Sequence, residues 1–176
     1  MIRLFAVALA LILPGCTSHI SYMEAKTSPF IQANYQATDA MVASVSKEHA
    51  LPADATMLVA TLVELDRLNE SSSLGRSISE QVQARLTQRG YSVIEAKLRG
   101  QMVMNKAQGE LMLSRELQDL RKTHSAEAVV VGTYSLARNY VYVNLKMIGP
   151  ENVALGAHNY ALPLDRNIRA LLNKQP

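Results

Sequence analysis

Residues Leu4–Leu13 form an unbroken apolar run that ends in Pro14, Gly15 and Cys16, and Cys16 is the only cysteine of the chain. This limits the fold before anything else is read. A single cysteine allows neither an intramolecular disulfide nor a cysteine-based metal cluster. The rest of the chain must therefore be held by its own apolar core. An apolar run this short does not cross a bilayer, which needs about 20 residues. It matches the h-region of a signal peptide, about 7–15 residues, with Arg3 as the positive n-region. Removing residues 1–15 leaves 161 of 176 residues, enough for one domain with a sizeable core.

The sequence Leu13-Pro14-Gly15-Cys16 resembles a bacterial lipobox, with Pro14 a less usual residue at its centre. Gly15 is small enough to let a signal peptidase reach the bond before Cys16. The Cys16 thiol is the nucleophile that takes up diacylglycerol. A chance cysteine after an ordinary cleaved signal, or an uncleaved anchor, is the plainer alternative. Thr17 stands where an Asp would retain a lipoprotein in the inner membrane, so the expected location is the outer membrane. The expected organisation is a signal peptide over 1–15, a lipidated polar tether over 16–28, and one domain over 29–173.

Charge adds little. The formal net charge of +3 falls by one when Arg3 leaves with the signal. No basic patch accompanies it, so no nucleic-acid partner is expected. The absence of Trp and the presence of only two Phe argue against aromatic stacking platforms.

Ser28-Pro29 predicts a helix start. Phe30, Ala33, Ala37, Ala40, Met41, Ser44 and Val45 then recur at helical spacing to about Lys47. Thr56–Val63 reads as a buried strand. Ser71–Ser73 caps a second helix carrying Leu74, Ile78, Val82 and Leu86, and Gly90 closes it as a left-handed cap. Tyr91–Glu95 is a short strand, and Lys97–Gln108 is irregular. Gly109–Thr123 is expected to be helical, with Leu111, Met112, Leu113, Leu117 and Leu120 inward. Ala126–Tyr134 and Val153–Leu162 read as strands. Tyr140–Ile148 alternates, with Val141, Val143, Leu145 and Met147 on one face and Tyr140, Tyr142, Asn144 and Lys146 on the other. Arg138-Asn139 supplies a turn with Asn139 at positive φ, and Pro163 opens a last helix over Leu164–Leu172. The fold class is α+β: a single domain with a mixed sheet of about five strands packed with helices, in the order α-β-α-β-α-β-β-β-α.

Catalytic chemistry is not found. His19, His49, His124 and His158 form no metal-ligand spacing. His124 and Glu127 straddle a loop and a strand start, where a solvated His is the simpler reading. Gly75 and Ser77 at a helix start are a weak anion site without a P-loop pattern. Glu64 and Asp66 at a strand end motivate at most a small hydrolase, and otherwise a solvated edge. No catalytic, cofactor or metal residues are expected.

The features left over suit binding. Tyr134, Tyr140, Tyr142 and Tyr160 fall in the last three strands. Tyr140, Tyr142, Asn144 and Lys146 form a candidate protein-interaction face. Alternatively a helix covers that face and the tyrosines are core.

Three segments together resemble FlgO-type flagellar outer-membrane lipoproteins: Ser73-Leu-Gly-Arg-Ser-Ile-Ser-Glu-Gln-Val-Gln-Ala-Arg-Leu-Thr-Gln-Arg-Gly-Tyr-Ser-Val-Ile-Glu95, Ala128-Val-Val-Val-Gly-Thr-Tyr134, and Asn139-Tyr-Val-Tyr-Val-Asn144 with Asn159-Tyr-Ala-Leu-Pro163. The helix-Arg-Gly-Tyr-strand pattern is also similar to envelope domains such as CsgG, TolB N-terminal domains and penicillin-binding-protein activator lipoproteins. The resemblance implies a non-enzymatic part of the flagellar base at the outer membrane, with a role in motility. It further implies self-association in a ring and contact with other flagellar basal-body proteins. The alternative it leaves is an envelope binding module that activates a cell-wall synthase or serves secretion.

Overall fold

The computed structural model describes residues 24, 27–68, 70, 72–96, 102–105, 110–113 and 115–173, with side chains omitted for 102–105, 110–113 and 173. Cys16, the signal segment, His19 and most of the tether lie outside the described residues.

The elements run α1 (Pro29–Ala43), β1 (Thr56–Ala60), β2 (Val63–Glu64), α2 (Ser73–Gln88), β3 (Ser92–Ala96), β4 (Met102–Asn105), β5 (Glu110–Leu113), α3 (Arg115–Thr123), β6 (Ala128–Leu136), β7 (Tyr140–Ile148), β8 (Ala154–Pro163) and α4 (Arg166–Asn173). The main sheet has the order β3-β1-β6-β7-β8, with β2 also on β6. β1 lies parallel to β3 and β6, while β6, β7 and β8 form an antiparallel meander. The fold is therefore α+β, as the alternation and helical spacings predict.

α1, α2 and α4 cover one face. There Met41, Ile78, Val82, Leu86, Met57, Val130, Val143, Leu145 and Ile168 share the larger core. Each strand presents alternate residues to this face, and α2 supplies its 3.6-period stripe. The opposite face carries a smaller core of Leu58, Ala60, Val129, Val131 and Ile148 under Leu117 of α3.

The strand expected over Thr56–Val63 is broken. β1 pairs Val59 with Val130, but β2 pairs Val63 with Thr133. Four residues along the first strand thus oppose three on β6, which is a bulge. Leu62 fills the break by packing over Gly132, where an added Cβ would stand 2.6 Å from Leu62 Cγ. The freed Leu62 N–H donates to the buried Ser79 Oγ at 2.8 Å.

The helix expected from Gly109 starts later. Glu110–Leu113 is a strand paired antiparallel with Met102–Asn105, and the helix occupies only Arg115–Thr123. Consecutive Leu111, Met112 and Leu113 do not fit one helical stripe, and the backbone instead pairs with the apolar Met102–Met104 stretch. The last helix begins at Arg166, not beside Pro163, because Asp165 caps it: the Ile168 N–H donates to Asp165 Oδ1 at 2.8 Å. Pro163 is still extended and pairs with Tyr140. Positive φ falls at Gly90 (96°), Ser125, Glu151 and Asn152, not at Asn139. The cap of α2 is Ser72, not Ser73; its hydroxyl accepts the Gly75 N–H. α1 ends at Ala43, four residues short of Lys47.

Candidate functional site

The alternation of β7 decides the site. Its even-numbered row, Tyr140, Tyr142, Asn144 and Lys146, turns away from α1 and α2. α3 packs on the other half of that face, against β1 and the first half of β6. Tyr140 and Tyr142 are 46% and 50% exposed, so the helix-covered alternative does not hold. Their rings lie 6.4 Å apart, tilted by 34°. Lys146 is exposed. Asn144 is half-buried and donates to Thr133 Oγ1 at 3.4 Å.

On the next strand, Asn159 stands opposite Asn144, Ala161 opposite Tyr142 and Ala157 opposite Lys146. The open face is thus a row of aromatic, amide and ammonium groups bordered by small residues at the sheet edge. Sequence reasoning missed this border. Its signal was available in the alternation of Ala157, Asn159 and Ala161 along β8.

The other two tyrosines are fasteners. Tyr134 is buried; its hydroxyl donates to Ser72 Oγ at 3.0 Å and accepts from the Ser72 N–H at 3.2 Å. Tyr160 faces α1 and donates to Asn34 Oδ1. Burial pushes the Tyr160 phenol well above its ordinary range. Asn34 in turn donates to Phe30 O at 2.9 Å. α1 is also tied at Ser44, whose hydroxyl accepts the Ala157 N–H at 2.9 Å. A third tie is Asp39, held by Arg85 at 2.8 and 2.6 Å and by Arg89 at 2.9 Å. The Arg85 hydrogen bond, against some burial cost and with help from Arg89, holds the Asp39 carboxyl below its usual range.

The weaker catalytic candidates are spread over the surface and are not brought together in one site. Glu64 pairs with Arg67 at 2.7 Å in an exposed turn, and Asp66 is exposed beside it. Glu127 accepts the Thr56 N–H at 2.6 Å, and His124 is exposed. His49 meets Ser46, and His158 stacks on Tyr160 with ring centroids 6.4 Å apart. The N-terminus of α2, where Gly75 and Ser77 sit, is filled by Ser72 and Tyr134. Among the described residues no cluster of three metal-ligating side chains occurs, and no helix is long and apolar enough to cross a membrane.

The fold is similar to that of solved LpoB structures. The LpoB C-terminal domain from Salmonella enterica matches at 13% identity and TM-score 0.54, covering 77% of this chain and 98% of that one. The corresponding Escherichia coli domain matches at 14% and 0.53 with the same coverage. The NMR structure of E. coli LpoB matches at 15% and 0.51, covering 90% of this chain and 82% of that one. At these identities the likeness is one of fold. No curated protein matches the chain in sequence. The family model described as FlgO protein matches residues 35–167, three quarters of the chain, and the chain belongs to that family.

Proposed function

We propose that this chain is a non-enzymatic lipoprotein of the bacterial cell envelope, anchored to the outer membrane through a lipid on Cys16. Its work is at the flagellar base, where it supports flagellar assembly or stability and so motility. The observation that carries this reading is the FlgO family match over residues 35–167, in a chain that opens with a signal-like run and a lipobox-like Cys16. The open face of β7 is its surface for other envelope proteins. Several acyl chains on Cys16 supply stable anchoring, since each buried CH₂ contributes about 0.8 kcal/mol.

Deleting the gene should reduce swimming and disturb the structures around the flagellar base. Normal swimming and normal basal structures would sink the flagellar reading. Cys16→Ser should move the protein out of the membrane fraction without unfolding it. A Cys16→Ser protein that still sediments with the outer membrane would show that protein contacts, not the lipid, hold it there.

The fold likeness to LpoB supports a second reading: an envelope module that binds and activates a cell-wall synthase, or serves secretion. Recovery of a cell-wall synthase and no flagellar protein in a pull-down would favour it.

A further inference from the structure

Among the described residues five large apolar side chains stand exposed, and four of them, Leu65, Leu136, Tyr140 and Tyr142, lie at one end of the sheet. Leu136 and Tyr140 flank the β6–β7 turn, and Tyr142 pairs with Ser135 one step further in. Leu136 stands opposite the buried Val141 and so shares its face, whereas Tyr140 is on the other. The turn is therefore apolar on both sides. Leu65 joins it from β2, where its N–H donates to Tyr134 O at 2.8 Å. The fifth side chain, Val153, sits at the far end, in the β7–β8 connection, and its carbonyl accepts the Gly149 N–H.

α1 begins at the first of these ends. Its Asn34 meets Tyr160 and its Ser44 meets Ala157, so the helix runs opposite to β8. Pro29 thus comes level with the end of β8, where Pro163 pairs with Tyr140. Twelve residues separate Pro29 from Cys16, and fully stretched they reach about 40 Å. The nine residues of β7 place the Val153 end about 30 Å further from the root of this tether. Only a nearly extended tether would let that end meet a bilayer holding the Cys16 lipid, whereas the Leu136 end meets it with no extension at all.

The charges at this end nearly balance. Arg138, at the apex of the turn, and Arg166 are exposed and make no ion pair among the described residues. Asp66 is exposed, Asp165 accepts the Ile168 N–H, and Glu64 and Glu70 are held by Arg67. No strong repulsion from anionic headgroups opposes the contact.

We infer that the β6–β7 turn seats in the headgroup layer of the phospholipid surface that carries the Cys16 lipid. Leu136, Leu65 and the Tyr140 ring dip toward the acyl chains, and Arg138 keeps its guanidinium among the phosphates. This rests on the reading of Cys16 as a lipid anchor. β7 then climbs away from the membrane, with Lys146 about 20 Å above Tyr140. The open face stands upright and is presented to proteins in the same membrane plane.

The chain has no Trp, so one introduced Trp reports its own surroundings. The test uses the mature lipidated chain in vesicles of phosphatidylethanolamine and phosphatidylglycerol, with and without bromine on the acyl chains. Leu136→Trp and, as a second reporter, Tyr140→Trp should each emit to the blue of a water-exposed Trp and lose intensity on brominated vesicles. Val153→Trp should do neither. Adding Leu136→Asp to Tyr140→Trp should restore water-exposed emission. Equal quenching at the two ends, quenching at neither, or a Tyr140→Trp signal indifferent to Leu136→Asp would overturn the inference. Blue emission without bromine quenching would also overturn it, because the turn would then lie against protein, a second copy included. Flotation with the vesicles reads the acyl anchor separately. A chain that floats with its turn in water overturns the seat alone, and one that does not float overturns anchor and seat together.

Discussion

The two faces of the sheet contrast in what covers them. On one, α1, α2 and α4 bury a continuous apolar layer, and polar groups appear there only as fasteners such as Asn34, Ser79 and Tyr134. On the other, α3 covers β1, β3 and the first half of β6, and the β7–β8 half stays open with two tyrosines side by side. The same strand, β7, contributes to both. Its valine-leucine-methionine row lies in the core, and Tyr140, Tyr142 and Lys146 of its other row are exposed. If the proposed binding role of the even-numbered row holds, stability and binding are divided between odd- and even-numbered residues of one strand, and each can be changed without the other.

The largest effect should come from the covered face. Leu145 is fully buried, and Leu145→Ala should cost about 2–5 kcal/mol through lost burial and a cavity, read as a fall in denaturation midpoint. Next comes the approach of α1 to β8. A Cβ on Gly156 would stand 2.7 Å from Met41 O and 2.9 Å from Ser44 Oγ. Gly156→Val should cost about 1–3 kcal/mol as α1 is pushed off, with a larger loss of amide-exchange protection in α1 than in α2.

A smaller effect belongs to the fasteners. Tyr160→Phe leaves Asn34 Oδ1 without its donor and should cost about 1 kcal/mol. Asp39 adds a pH dependence. Its carboxyl is held below its ordinary 3.8, so its contribution is present above that pH and is lost as pH falls through the lowered value. Asp39→Asn should flatten the stability profile below about pH 4 and leave its shape at neutral pH unchanged. At the bottom of the scale lies the open face. Tyr140→Ser with Tyr142→Ser should change stability by no more than about 0.5 kcal/mol per site.

Much of this division was legible in the sequence. The strict alternation over Tyr140–Ile148 predicts both faces of β7, and the Gly90 cap predicts where α2 stops. The first-strand bulge was not legible, because Thr56–Val63 is apolar but for Thr56 and Thr61, both at home in a strand, and no residue in it signals that Leu62 must turn onto Gly132. The β4–β5 hairpin was hidden by an apolar run that a helix also accommodates. The α1 fasteners were hidden for a different reason. Asn34 and Thr38 sit on the buried stripe; Phe30 O satisfies the Asn34 amide nitrogen locally, but the amide oxygen is satisfied by the distant Tyr160. Which tyrosines face outward could be read from parity for Tyr140 and Tyr142, whereas the role of Tyr134 depends on Ser72, 62 residues earlier.

The central claim, that the open face does the work while the covered face holds the fold, is tested most directly by swimming. A strain carrying Tyr140→Ser and Tyr142→Ser at the chromosomal locus should keep the protein at its normal level and within about 4 °C of its wild-type melting temperature, while swimming falls toward that of the deletion strain. Wild-type swimming by that strain, with the deletion strain impaired, would contradict the claim.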